Sequence, residues 1–130
     1  MSIIDATKIE AIQVPAPFSR SIKVLLAPDT QDEVKDISIT MGIIAPHSMN
    51  DYHTHEGTEI LYIATGYGRA VLDGEEFEIK PDSLIVAPAG VAHRQINDSD
   101  DTMKMVAVWT PPVSGKEVIE RAMEAAKSGV

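Results

Sequence analysis

The sequence predicts an all-β sandwich or barrel with one C-terminal helix, and three observations carry that prediction. Short β-prone runs recur at roughly eight-to-twelve-residue spacing through most of the chain. Asp73-Gly74 stands between two of these runs as a tight hairpin turn, which needs the positive φ that Gly adopts without cost. Beyond Pro111-Pro112 the pattern changes to helical spacing behind a capping sequence, Ser114-Gly-Lys-Glu117.

Taken in order, residues 22–27 form the first clear run and 36–45 the second. In the second, Ile37, Ile39, Met41 and Ile43 fall on one face and Ser38 and Thr40 on the other, the two-residue period of a half-buried strand. Residues 59–65 follow and end at Gly66-Tyr67-Gly68. Residues 69–72 and 76–79 flank the Asp73-Gly74 turn, and 84–87, 91–96 and 103–110 complete the strands. In the tail Val118, Ile119, Ala122, Ala125 and Ala126 recur at helical spacing, and Gly129 is placed to stop the helix. With no repeat, linker or low-complexity block, residues 1–130 read as one domain. Its core spans about 22–110 and its helix, a packing appendage, about 115–128.

Composition removes several classes of function. The 130 residues are 44% apolar and 24% charged, an ordinary globular profile. The longest nearly unbroken apolar stretch, residues 84–92, contains Pro88 and Gly90 and is far short of the roughly 18–20 residues a membrane helix needs. Twenty acidic residues against eleven Lys and Arg give a net charge of −9, and no basic run offsets it. Nucleic acid and anionic membranes, which are held by clustered Lys and Arg, are therefore not expected partners; a small molecule is. Zero cysteines exclude disulfides, a thiolate zinc site and a cysteine nucleophile. No export signal is visible at the N-terminus, so cytoplasm is the expected compartment.

Four histidines occur, at positions 47, 53, 55 and 93. On an extended segment residues i and i+2 share a face, so His53 and His55 project to the same side. The turn around Glu56-Gly57 can swing Glu59 back towards that pair, and His93 opens a later strand after Pro88-Ala-Gly90. Each has an ordinary alternative: an exposed His-x-His, a solvated carboxylate, a ring satisfied by backbone. Together, three imidazoles and a carboxylate on converging strands suit Fe(II), Mn(II), Ni(II) or Zn(II).

The order and spacing of these residues resemble the cupin family. Its first motif, Gly-x5-His-x-His-x3,4-Glu-x6-Gly, is matched by His53, His55, Glu59 and Gly66, with His47 in place of the leading Gly. Its second, Gly-x5-Pro-x-Gly-x2-His-x3-Asn, is matched by Pro88, Gly90, His93 and Asn97, with Asp82 in place of the Gly. Asp tolerates left-handed backbone well enough to keep that turn. The resemblance implies a double-stranded β-helix, a jelly-roll-like barrel, in which His53, His55, Glu59 and His93 hold one divalent transition metal. Three neutral imidazoles and one carboxylate around such an ion leave a net charge of about +1 and, in octahedral geometry, two open positions. It further implies an enzyme acting on a small oxygen-rich molecule, by dioxygenation or by isomerisation or elimination through a metal-bound enolate. The alternatives are a non-catalytic binding or sensing module and a structural barrel. Family members commonly pair, so a homodimer is expected.

Other polar residues are secondary candidates. Gln95 shares the strand parity of His93 and lines the expected pocket, while Asn97 orients a ligand or completes a turn. Tyr52 and Arg94 should turn away from the metal. Arg69, Tyr62 and Tyr67 are candidate substrate contacts or surface groups; His47 is an outer-pocket proton carrier or a loop residue, and Glu56 is solvated. Residues 109–117 also resemble the tail of ectoine synthases, which are themselves cupins. That family uses a metal-binding tyrosine where this chain has Ile85, a side chain that cannot coordinate.

Overall fold

The computed structural model describes residues 1–129. After a 3-10 turn at Ala6–Lys8 come β1 (Ile12–Val14), β2 (Arg20–Leu26), β3 (Ser38–Ile44), β4 (Thr58–Ile63) and β5 (Gly68–Leu72). The remaining elements are β6 (Glu75–Ile79), β7 (Leu84–Ala87), β8 (His93–Asn97), β9 (Met103–Thr110) and α1 (Gly115–Ser128). The strands pair antiparallel in two sheets, one ordered β1-β2-β3-β9-β4-β7 and the other β6-β5-β8. Inward side chains of both sheets, among them Ile44, Leu61, Ile63, Ala70, Ile79 and Met103, form one core between them. This is the all-β architecture expected, with β1 added: its three residues are cut short by Pro15 and carry no pattern long enough to read.

Turn chemistry follows local backbone rules. Asp73 and Gly74 both have positive φ, 49° and 81°, as a primed hairpin turn requires. Asp82 (φ 74°) and His47 (φ 56°) hold left-handed backbone at the two places where the motifs have Gly. Gly68 is demanded by close approach, since a Cβ there would lie 1.9 Å from the carbonyl oxygen of Ile96. The expected run 91–96 begins at His93 instead, because Val91 N–H donates to Pro88 and closes the turn.

On β3 the buried row is Ser38, Thr40 and Ile44, and Ile39, Met41 and Ile43 lie on the outer face. The apolar row of the sequence is therefore not the core row. The inward polar groups are satisfied: Ser38 Oγ accepts from Val113 N–H at 2.9 Å, and Thr40 Oγ1 accepts from Trp109 Nε1 at 3.2 Å. Thr40 and Gly42 leave open space inside, where Ile39 and Met41 would have filled it. The outward row meets further apolar side chains. Ile39, Val108, Ile60 and Val86 are cross-strand neighbours, as are Met41, Val106, Tyr62 and Leu84.

Helix α1 is anchored at its start. Ser114 Oγ accepts from Glu117 N–H, and the Asp29 carboxylate accepts from the N–H groups of Gly115 and Lys116 at 2.8 and 3.2 Å. The capping box is half formed, because Glu117 turns to Arg121 (2.6 Å). Gly129 ends the helix in left-handed conformation. Val118, Ala122 and Ala126 are buried against the barrel, and α1 packs across β1 and β2. No helix among the described residues is long and apolar enough to cross a membrane.

Candidate metal centre

The segment before β4 is pinned along β8. Asn97 N–H donates to Ser48, Asn50 N–H donates to Gln95, and His53 and His93 exchange both backbone bonds at 3.1 and 2.9 Å. This places His53 opposite His93, with His55 two residues further on the same side. The turn at residues 56–57 then returns the chain as β4, where Glu59 is flanked by Ala87 and Trp109 on the neighbouring strands. One ligand atom each from His53, His55, Glu59 and His93 all lie within 4.8 Å of one another. The sequence separates Glu59 from His93 by more than thirty residues; the barrel closes that gap.

Hydrogen bonds orient the rings. Nδ1 of His53 lies 2.8 Å from the carbonyl of Asp51, and Nδ1 of His93 lies 3.0 Å from that of Val91. A carbonyl only accepts, so both Nδ1 atoms carry a hydrogen, and Nε2 is the atom that each ring turns to the cluster. Glu59 Oε1 sits 2.7 Å from His93 Nε2 and 3.5 Å from His55 Nε2. The His55 Nε2 is buried and has no hydrogen-bond partner. An unpartnered buried nitrogen beside two oriented imidazoles and a carboxylate is a donor set that fits a divalent transition ion.

The electrostatics are those of a buried carboxylate held ionised by the imidazoles around it. Burial would raise the Glu59 carboxyl, but the adjoining imidazoles of His55 and His93 outweigh it and hold it at about 2. Burial opposes protonation of His93, yet its bonds to Glu59 and Val91 raise its pKa; His55 is lowered, chiefly by burial. Asp51 behaves like Glu59: burial is outweighed by His53 and Arg20, and its pKa falls to about 2.

His53, His55 and Glu59 of the cluster line a cavity of about 220 Å³ between the sheets and α1. Ile22, Leu61, Met105, Ala107 and Val118 form its apolar wall, and the Trp109 ring meets His55 edge-on at 4.4 Å. Gln95 lines it as expected. Tyr52 and Arg94 lie elsewhere, Arg94 bonding the Asn50 carbonyl. Asn97 is a turn residue, donating to the carbonyls of Ile44, Ala45 and Asp101.

Several secondary candidates do not reach the cavity. His47 is 62% exposed and bonds Asp100, so it is a loop histidine rather than a proton carrier. Arg69 pairs with Asp98 and Glu76 on the outside, Tyr62 bonds Asp82, and Tyr67 and Glu56 are exposed. Conversely, Arg20, Asn50, Asp51 and Arg121 line the cavity without having been singled out. Asp51 was detectable as a motif neighbour of His53. Arg20 was detectable only from its strand parity with Ile22, and Arg121 not at all, since α1 looked like an appendage.

A model of the cupin domain matches residues 40–109, more than half of the chain, and takes in all four clustered residues. The chain is a cupin. Among curated relatives, this cupin is 30% identical to an acireductone dioxygenase of Aspergillus fumigatus over 62% of its own length and 58% of that protein, so it spans little more than half of that relative. It is 29% identical to an L-ectoine synthase of Mycolicibacterium gilvum, over 81% of its own length and 78% of the synthase. Among solved structures, the ectoine synthase of P. lautus superposes with a TM-score of 0.76 at 21% identity, covering 93% of this chain and 86% of that one. A polyketide cyclase of Streptomyces resistomycificus gives 0.70 at 22% identity, over 88% and 85%. At these identities the solved structures speak for the fold alone. At the position where ectoine synthases are expected to place a tyrosine, Ile85 is buried in the core.

Proposed function

We propose that this cupin is a metal-dependent enzyme acting on a small, oxygen-rich organic molecule, with His53, His55, Glu59 and His93 holding one Fe, Mn, Ni or Zn ion. The observation that carries the reading is the convergence of three imidazoles and one carboxylate, of which His53, His55 and Glu59 line a largely apolar cavity. When bound, the metal supplies Lewis-acid polarisation of a substrate oxygen. The protein's own share is orientation and exclusion of water. The carbonyls of Asp51 and Val91 fix two rings, Glu59 supplies the single negative charge, and the apolar wall raises the strength of every charge interaction inside.

Dioxygenation is favoured over elimination or isomerisation. Apart from the clustered residues, the one carboxylate lining the cavity is Asp51, which is engaged by Arg20 and His53 and is a weak base at a pKa of about 2. No unengaged general base stands among the described lining residues, so the substrate must enter already ionised or bring its own proton acceptor. The same feature favours a second reading, a module that binds or senses such a ligand without turnover. One experiment separates these. Metal is measured by elemental analysis of protein purified without chelators, followed by oxygen uptake by the Fe(II)-loaded protein with diketones and hydroxy acids. Oxygen uptake supports the dioxygenase, anaerobic product the lyase or isomerase, and thermal stabilisation without turnover the binding module. Protein carrying no metal would refute the proposal.

The chain acts as one domain of residues 1–130, located in the cytoplasm and paired with a second copy. What supports pairing is the outer face of β4 and β7, where Leu84, Val86 and Tyr62 are 61%, 51% and 41% exposed within the two apolar rows described above.

A further inference from the structure

Three buried side-chain atoms among the described residues have no hydrogen-bond partner: Arg20 Nε, His55 Nε2 and Gln95 Nε2. All three residues line the same cavity. His55 belongs to the cluster already described; the other two do not. Leaving a buried donor unpaired costs about 1–3 kcal/mol, so two of them on side chains that line one cavity call for an acceptor that comes from outside the chain.

The orientation of Gln95 follows from its neighbours. Its backbone N–H donates to Asn50 Oδ1 at 2.7 Å, and because that group can only donate, the oxygen of Asn50 must face it. The Asn50 amide nitrogen therefore points the other way and donates to Gln95 Oε1 at 3.0 Å. With its oxygen so engaged, Gln95 has its NH2 group left over, on a side chain that is fully buried. Arg20 is fixed as firmly. Its side chain is 10% exposed, and its Nη2 donates to Asp51 Oδ1 at 3.1 Å, which leaves Nε unused.

Charge selects the acceptor. A divalent ion with three neutral imidazoles and Glu59 carries about +1, and the Arg20–Asp51 pair cancels. Arg121, the other cation on the lining, is paired with Glu117 at 2.6 Å, so one positive charge remains in a cavity whose wall is largely apolar. We propose that Arg20 and Gln95 form a carboxylate-binding subsite, so that the molecule taken up is a small organic monocarboxylate with a short apolar chain. The carboxylate accepts from Arg20 Nε and Gln95 Nε2, and the chain lies against Ile22, Leu61 and Met105. A dianion would leave a surplus negative charge, and a polyol would bury hydroxyls without partners. This inference rests on the metal reading above for its charge count, but its residues lie outside the cluster.

The test is calorimetric titration of pyruvate and 4-methyl-2-oxopentanoate, each against its own neutral amide, with metal content read on the same samples by elemental analysis. Each acid should bind at least tenfold more tightly than its amide. Arg20→Lys keeps the charge and the Asp51 pairing but removes Nε–H. Gln95→Glu keeps an acceptor for Asn50 and turns the free donor into an acceptor. Both should weaken acid binding at least tenfold while metal stoichiometry stays at the wild-type value. Failure of either acid to bind, equal binding of acid and amide, or wild-type affinity in both variants overturns the subsite. If a variant fails to fold, the acid-to-amide ratio of the wild type still decides. Wild-type protein without metal overturns the metal reading separately, and acid binding that still depends on Arg20 and Gln95 would then sustain the subsite.

Discussion

Replacing Glu59 by Gln keeps the shape of the side chain and removes its charge, so the variant copies a protonated carboxyl. In the metal-free protein the Glu59 carboxyl sits at about 2 instead of its ordinary 4.5. At about 1.4 kcal/mol per pKa unit the charged form is favoured in the folded state by about 3 kcal/mol. That contribution is present above pH 4.5 and is lost as pH falls towards 2. The raised pKa of His93 sets the other limit: its half of the pair is present below 6.5 and is lost as pH rises through its elevated value. The full effect is therefore read near pH 5.5. With about 3–5 °C per kcal/mol for a domain of this size, Glu59→Gln should lower the Tm of chelator-treated protein by roughly 10 °C at pH 5.5. The gap should close as both proteins are taken to pH 2. Metal affinity should fall at least a hundredfold as the one anionic ligand is lost. Equal melting temperatures at pH 5.5, or a gap that persists unchanged at pH 2, would show that Glu59 is not the charged partner of His93.

Three further outcomes follow from particular contacts. Arg121 Nη1 lies 3.4 Å from His55 Nδ1, a cation placed against the hydrogen that this nitrogen must carry when Nε2 binds metal; Arg121→Met should tighten metal binding up to tenfold in competition with a chelator. Asn97→Ala strips donors from three carbonyls and an acceptor from Ser99, and should cost about 3 kcal/mol or more in denaturant unfolding while the folded fraction keeps its metal. Leu84→Arg puts a charge on the β7 edge of the outer apolar face and should convert the proposed dimer to a monomer in sedimentation velocity; an unchanged dimer would place the interface elsewhere.

Much of this molecule was legible along the chain because its signals are local. The period-two runs, Asp73-Gly74, the Ser114 cap and Gly129 each act within a few residues, and backbone sterics give them one meaning in almost any setting. The His53–His55 pair, Glu59 and His93 were legible for a related reason, since their spacing within each motif reports strand parity and turn length. The inward row of β3 was not. Alternation says that two faces differ, not which is inside, and the polar row went in because Trp109, nearly seventy residues away, supplies Thr40 with a partner. Arg20, Asn50 and Gln95 illustrate the same limit: their roles depend on which buried atoms are left unpaired after the sheets close.

The sequence by itself determined the class of fold, the succession of strands from β2 onward, the single helix and the four residues able to share a cation. Only the tertiary structure decided which face of each strand the cavity sees, that α1 closes it with Val118 and Arg121, and that two unsatisfied donors stand beside the cluster. The reason is physical. Periodicity and turn chemistry are set by neighbours in sequence, whereas burial and hydrogen-bond satisfaction are settled between segments that meet only when the barrel is complete.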